Sequence, residues 1–161
     1  MEEFNMNKQL SFKMPVLDEE ETKNEVEKVF EEYRMYLSQM PSDILPKVTA
    51  SYSIVPPSVT NEFNSSTENI AIERVQYEMA RDKFMNWVHR AVNRLPKRER
   101  QIIHMYYMEE EKGYDPDIMD EVRLGRTTYY KVKGKALLRL AFSLRKEVFK
   151  QRAQNEEVEI V

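Results

Sequence analysis

Between Arg123 and Arg152 the chain carries ten cations and a single acid, Glu147, with apolar residues recurring among them every three or four positions. That spacing fits an amphipathic helix, so the basic charge is expected on a folded face and not on a tail. The segment has a net charge of +9, whereas residues 1–80 hold seven cations and fifteen acids, a net of −8. The overall charge of −3 conceals this dipole. Asymmetry of this kind predicts a polyanion as the partner of the basic end.

A chain of 161 residues fits one domain, or one domain with an extension. Only three glycines are present, Gly113, Gly125 and Gly134, which disfavours a β-sandwich or a phosphate-cradling loop. The absence of cysteine excludes disulfides, thiolate metal sites and a cysteine nucleophile. The polar start, Met1 to Val16, has no apolar run long enough for a signal or a membrane span. The expectation is a soluble, cytoplasmic protein with no membrane partner.

The expected fold class is all-α: a helical bundle with a C-terminal helix-turn-helix and a separate N-terminal helix. Residues 1–40 form the N-terminal helical segment. Asp18 and Glu21 have the spacing of a capping box. Val26, Phe30, Tyr33, Leu37 and Met40 follow at steps of four and three, the rhythm of a packing seam, until Pro41 stops it. Residues 41–66, with Pro41, Pro46, Pro56 and Pro57, read as an extended linker that is either flexible or lies along the protein through Tyr52, Ile54 and Phe63. Residues 67–155 form the helical DNA-binding domain, and 156–161 an acidic tail. Ser65 with Glu68 predicts a second capping box. Ile70, Tyr77, Phe84, Val88, Ala91 and Leu95 then mark one helix face, and Pro96 opens a further helix with Ile102, Ile103, Tyr106 and Tyr107.

The helix-turn-helix falls at about 115–140. A short helix is expected over Asp117 to Val122, a tight turn at Arg123-Leu124-Gly125, and a long helix from near Arg126. On that helix Tyr129, Val132, Ala136 and Leu140 share the inner arc. Thr127, Tyr130, Lys131 and Gly134 share a polar arc near the N-terminus, where a recognition helix meets base edges. Thr127, Tyr130 and Lys131 are the expected base readers, with Arg126 reading or anchoring. Thr128, Lys135 and Arg139 flank them and reach phosphates. Lys133 lies nearer the apolar arc, its stem packing while its ammonium reaches out. Gly134 would allow close backbone approach to DNA.

The run Arg94-Leu95-Pro96-Lys97-Arg98-Glu99-Arg100-Gln101-Ile102-Ile103 resembles the opening of region four of bacterial sigma factors, and Ile118, Leu124, Thr128 and Ala136-Leu137 follow that family's helix-turn-helix pattern. This chain has Arg123 where the family usually has glycine, and Gly125 where it has serine. The stretches Leu45 to Ser53, Pro56-Pro57-Ser58, Thr128 to Lys133 and Leu140 to Arg145 resemble the ArpU family of phage transcriptional regulators. That resemblance implies a phage or prophage origin and control of late genes for packaging or lysis, including autolysin.

No catalytic constellation is visible, so no enzyme activity is expected. His89 and His104 lack a second ligand at helical spacing, so no metal is expected, and nothing marks a cofactor site. Glu109-Glu110-Glu111 reads as a solvated helix end, and Tyr129-Tyr130 lacks the companions a recombinase nucleophile needs. The expected function is sequence-specific binding of double-stranded DNA by a transcriptional regulator. The alternatives are a sigma-like adaptor that touches RNA polymerase through the helix at Pro96, and a packaging accessory. Two apolar stripes are expected on the last helix: Leu137, Leu140, Leu144 and Val148, and Leu138, Phe142 and Phe149. Two readings stay open: both stripes are covered within one chain, by the N-terminal helix, or the second stripe or the Val26–Met40 seam is buried in a homodimer.

Overall fold

The computed structural model describes residues 14–56 and 68–151. Five α-helices account for most of them: α1 (Glu19–Ser38), α2 (Glu68–Asn93), α3 (Lys97–Ile103), α4 (Asp115–Val122) and α5 (Arg126–Leu144). A π-helical turn, His104–Met108, continues α3. One small antiparallel sheet pairs β1 (Lys47–Val48) with β2 (Ile54–Val55).

Helix α1 starts as the sequence suggests. The Asp18 carboxylate accepts from the Glu21 N–H at 3.2 Å, and three acids sit in the positive first turn. Its seam is not left for a partner. Val26, Val29, Phe30, Tyr33 and Leu37 join Val88, Val92, Tyr107, Ala136, Leu140 and Leu144 in one core. The expected separate N-terminal helix is thus corrected: α1 is a central member of the bundle, packed on α2, the π turn and, above all, α5. Five large apolar side chains on one face need a partner surface, and α5 supplies it within the same chain.

The described part of the linker, residues 41–56, also folds onto the bundle. Ile54 is buried, and its backbone N–H and C=O both bond the Asn93 amide, at 3.0 and 3.1 Å. The Tyr52 hydroxyl accepts from Gln101 Nε2. Phe63 and the expected Ser65 cap lie outside the described residues, as does the Ile70 side chain.

Helix α5 ends earlier than its apolar pattern suggests. Arg145 adopts the left-handed conformation (φ 54°), and the Lys146 N–H closes on the Ala141 carbonyl at 2.8 Å. Val148 and Phe149 are therefore not on the helix, and the two expected stripes stop at Leu144 and Phe142. The chain instead returns alongside residues 16–18. Asp18 N–H donates to Val148 C=O and Lys150 N–H to Val16 C=O, each at 2.8 Å, and buried Thr22 bonds both backbone groups of Val148.

A second, smaller core joins Ile102, Ile118, Val122 and Tyr129, binding α3, α4 and the start of α5. The loop into α4 is tight at Gly113, whose N–H bonds the Tyr106 carbonyl. A Cβ there would stand 2.4 Å from Met105 O and 2.8 Å from Tyr106 Cα, both backbone atoms. Gly113→Ala is expected to destabilise the fold by roughly 3 kcal/mol, because backbone cannot yield as a side chain does. Urea unfolding measures it, and an unchanged midpoint would refute the clash.

His89 is buried between α1 and α2, with Nε2 2.8 Å from the Tyr33 hydroxyl. Burial, helped by the charge of nearby His104, lowers its pKa from 6.5 to about 4. Above pH 6.5 the ring is neutral in both folded and unfolded chains. As pH falls from 6.5 to about 4, only the unfolded chain takes up this proton. Stability should fall across that window by about 3 kcal/mol, and His89→Gln should flatten the profile. Equal pH slopes for the two proteins would contradict this.

Candidate nucleic-acid interface

Helix α5 contains no acid along its whole length. Tyr129, Lys133, Ala136, Leu137, Leu140, Ala141 and Leu144 are buried, while Arg126, Thr127, Thr128, Tyr130, Lys131, Lys135 and Arg139 are exposed, as is the apolar Phe142 nearer the C-terminus. Gly125 caps the helix without a side-chain hydrogen bond. The first-turn N–H groups therefore keep no side-chain acceptor, and this positive end sits beside Arg126 and Thr127.

The preceding turn forms where the sequence puts it. Arg123 takes the left-handed conformation (φ 52°, ψ 49°), the geometry for which glycine is usually chosen. Leu124 N–H bonds the Met119 carbonyl at 3.0 Å, and the Leu124 side chain packs against the small core. Arginine thus occupies a glycine-type position and leaves one more cation exposed at the mouth of the turn.

Asp115, in the first turn of α4, fixes how α5 crosses α4. Its Oδ1 accepts from the Tyr129 hydroxyl at 2.5 Å and from Lys133 Nζ at 2.8 Å. The Tyr130 hydroxyl approaches Oδ2 at 3.5 Å. Burial first, then the bond to Asp115, raises the Tyr129 pKa well above the usual phenol range, so it remains a donor. The Lys133 ammonium also sits 3.1 Å from the centroid of the Tyr106 ring.

This network corrects the role expected of Lys133. Its side chain is only 10% exposed, and its ammonium points inward to a carboxylate and an aromatic face. A desolvated cation that already holds its counter-charge has none to offer a phosphate. The helical wheel had placed Lys133 near the apolar arc; what sequence alone lacked was Asp115, eighteen residues away. Gly134 is likewise half-buried, with Lys23 of α1 the side chain next to it. Its missing Cβ faces that lysine. Arg139 is exposed but stands 3.6 Å from buried Glu99 of α3, a loose ion pair that ties it to the α3 corner.

Among the described residues no group of three or more His, Asp or Glu side chains stands close enough to hold a metal ion, and no helix is long and apolar enough to cross a membrane. No family model matches the chain, and no solved structure matches it. Two curated proteins are similar. The phage-related protein Lin1259/Lin1739 of Listeria innocua is 32% identical over 133 residues, covering 83% of this chain and 93% of that protein. Gp66 of Listeria phage A118 is 30% identical over 103 residues, covering 64% of this chain and 70% of that protein. At that identity and coverage, the chain belongs to the family of phage-related proteins that includes Lin1259/Lin1739.

Proposed function

We propose that this phage-family protein is a sequence-specific regulator of transcription that binds double-stranded DNA without catalysing a reaction, in the host cytoplasm. The observation that carries the reading is the outer face of α5 from Arg126 to Arg139: seven exposed polar or cationic side chains, no acid on the helix, and a buried lock at Asp115 that holds the face rigid. Rigid presentation matters because base readout depends on side chains set in register with the groove. Helix α4, the turn at Arg123 and helix α5 act as the helix-turn-helix, with Thr127, Tyr130 and Lys131 facing base edges and Arg126, Thr128, Lys135 and Arg139 holding phosphates. The ArpU resemblance supports late packaging and lysis genes as its targets.

Footprinting across the phage genome tests the reading, and protected sites upstream of late genes are expected. Lys131→Ala or Tyr130→Ala should cost roughly 1–3 kcal/mol on the specific site and relax sequence preference. Lys135→Ala should weaken specific and random DNA alike. If all three variants lost both kinds of binding in the same proportion, the reading face would be placed wrongly. An adaptor role through RNA polymerase is the second reading, favoured by the exposed Lys97 and Arg98 at the start of α3. Binding to promoter DNA only when polymerase is present would select it.

A further inference from the structure

A pocket of about 480 Å³ lies between the end of β2 and helix α2. Lys83, Asn86, Arg90 and Asn93 line it from one face of the helix, at steps of three and four residues. Ile54 and Pro56 form its apolar wall, and no carboxylate lines it. Lys83 and Arg90 are exposed, and neither forms an ion pair among the described residues. No acid stands three or four residues from either on α2, and the adjacent Asp82 is bonded by Arg81. His89 lines the same pocket and is buried. Its Nε2 meets the Tyr33 hydroxyl, which has no other partner among the described residues, so that hydroxyl donates. The neutral ring therefore keeps its proton on Nδ1. Nδ1 is itself buried and bonds nothing among the described residues, a costly state for a donor.

We propose that this pocket binds a dianionic phosphate, either inorganic phosphate or a phosphate monoester. Two cations without counter-charges, in a lining that holds no acid, match an anion that carries nearly two charges at neutral pH. The Arg90 guanidinium offers a planar fork to two phosphate oxygens, and Lys83 adds a point charge. The Asn86 amide and the Nδ1 proton of His89 complete the donors. A phosphodiester has a single charge and fewer free oxygens, so it matches the lining less well. In a monoester the organic part lies against Ile54 and Pro56. No residue of α5 lines the pocket, so the site does not depend on DNA binding.

The test is an NMR titration of the isotope-labelled full-length protein with inorganic phosphate and with adenosine monophosphate, at constant ionic strength. Saturable shifts of the Asn86, His89 and Arg90 resonances are expected, with half-saturation at about 1 mM or below. Lys83→Gln and Arg90→Gln, both at exposed positions, should each weaken binding about tenfold, whereas Lys112→Gln, an exposed cation outside the pocket, should not. Tighter binding of the nucleotide identifies the ligand as an ester; affinity no greater than that of inorganic phosphate identifies the free anion. Absence of saturation with both anions would overturn the site, and so would equal weakening by Lys112→Gln. If neither anion bound but Arg90→Gln lost affinity for duplex DNA, the proposal would fall and these cations would belong to a DNA contact.

Discussion

Raising salt from about 50 to about 200 mM is expected to weaken binding to duplex DNA by a few hundredfold. The exposed cations at the turn and along α5 are Arg123, Arg126, Lys131, Lys135 and Arg139. Each phosphate contact contributes about −0.9 to the slope of log K against log salt, and Glu99 already holds part of the charge of Arg139, so a slope of about −4 follows. Lys131→Ala should lower it by about 0.9. A titration on promoter DNA with a slope near zero would remove the electrostatic basis of the proposed function, whatever affinity were found.

The second large effect is on folding. Lys133→Ala should destabilise the protein by about 3 kcal/mol, while Lys131→Ala, two residues away, should change stability by no more than about 0.5 kcal/mol. The contrast arises because Lys133 is the buried counter-charge of Asp115, whose side chain is itself only 19% exposed, whereas Lys131 stands in solvent. Removing the ammonium strands the carboxylate and empties the space over the Tyr106 ring. Urea unfolding of the two variants decides the matter. Equal midpoints would show that the Asp115–Lys133 pair contributes little to holding α4 against α5.

These two lysines also mark what could be read from the chain. Capping, turn residues and amphipathic spacing located α1, the short α4, the turn at Arg123 and the start of α5, because these are local properties. It also placed Tyr129, Ala136 and Leu140 inside and Thr127, Tyr130 and Lys131 outside, as the burial pattern has them. The fate of Lys133 needed a partner eighteen residues away. The docking of α1 into the core was likewise a contest that local pattern cannot judge, since the Val26–Leu37 seam would suit a second chain as well as α5. In the fold α5 covers the seam, and the segment after Arg145, which bonds residues 148–150 to residues 16–18, holds α1 beside α5. The early end of α5 had the same kind of cause. Residues 145–149 keep a helical apolar pattern, but the left-handed Arg145 and the backbone bonds to Val16 and Asp18 take the chain off that path. Sequence by itself determined the helices and the sign of the charge on their faces; tertiary structure decided which of those charges remained free for a partner, because burial and pairing depend on residues that only the fold brings together.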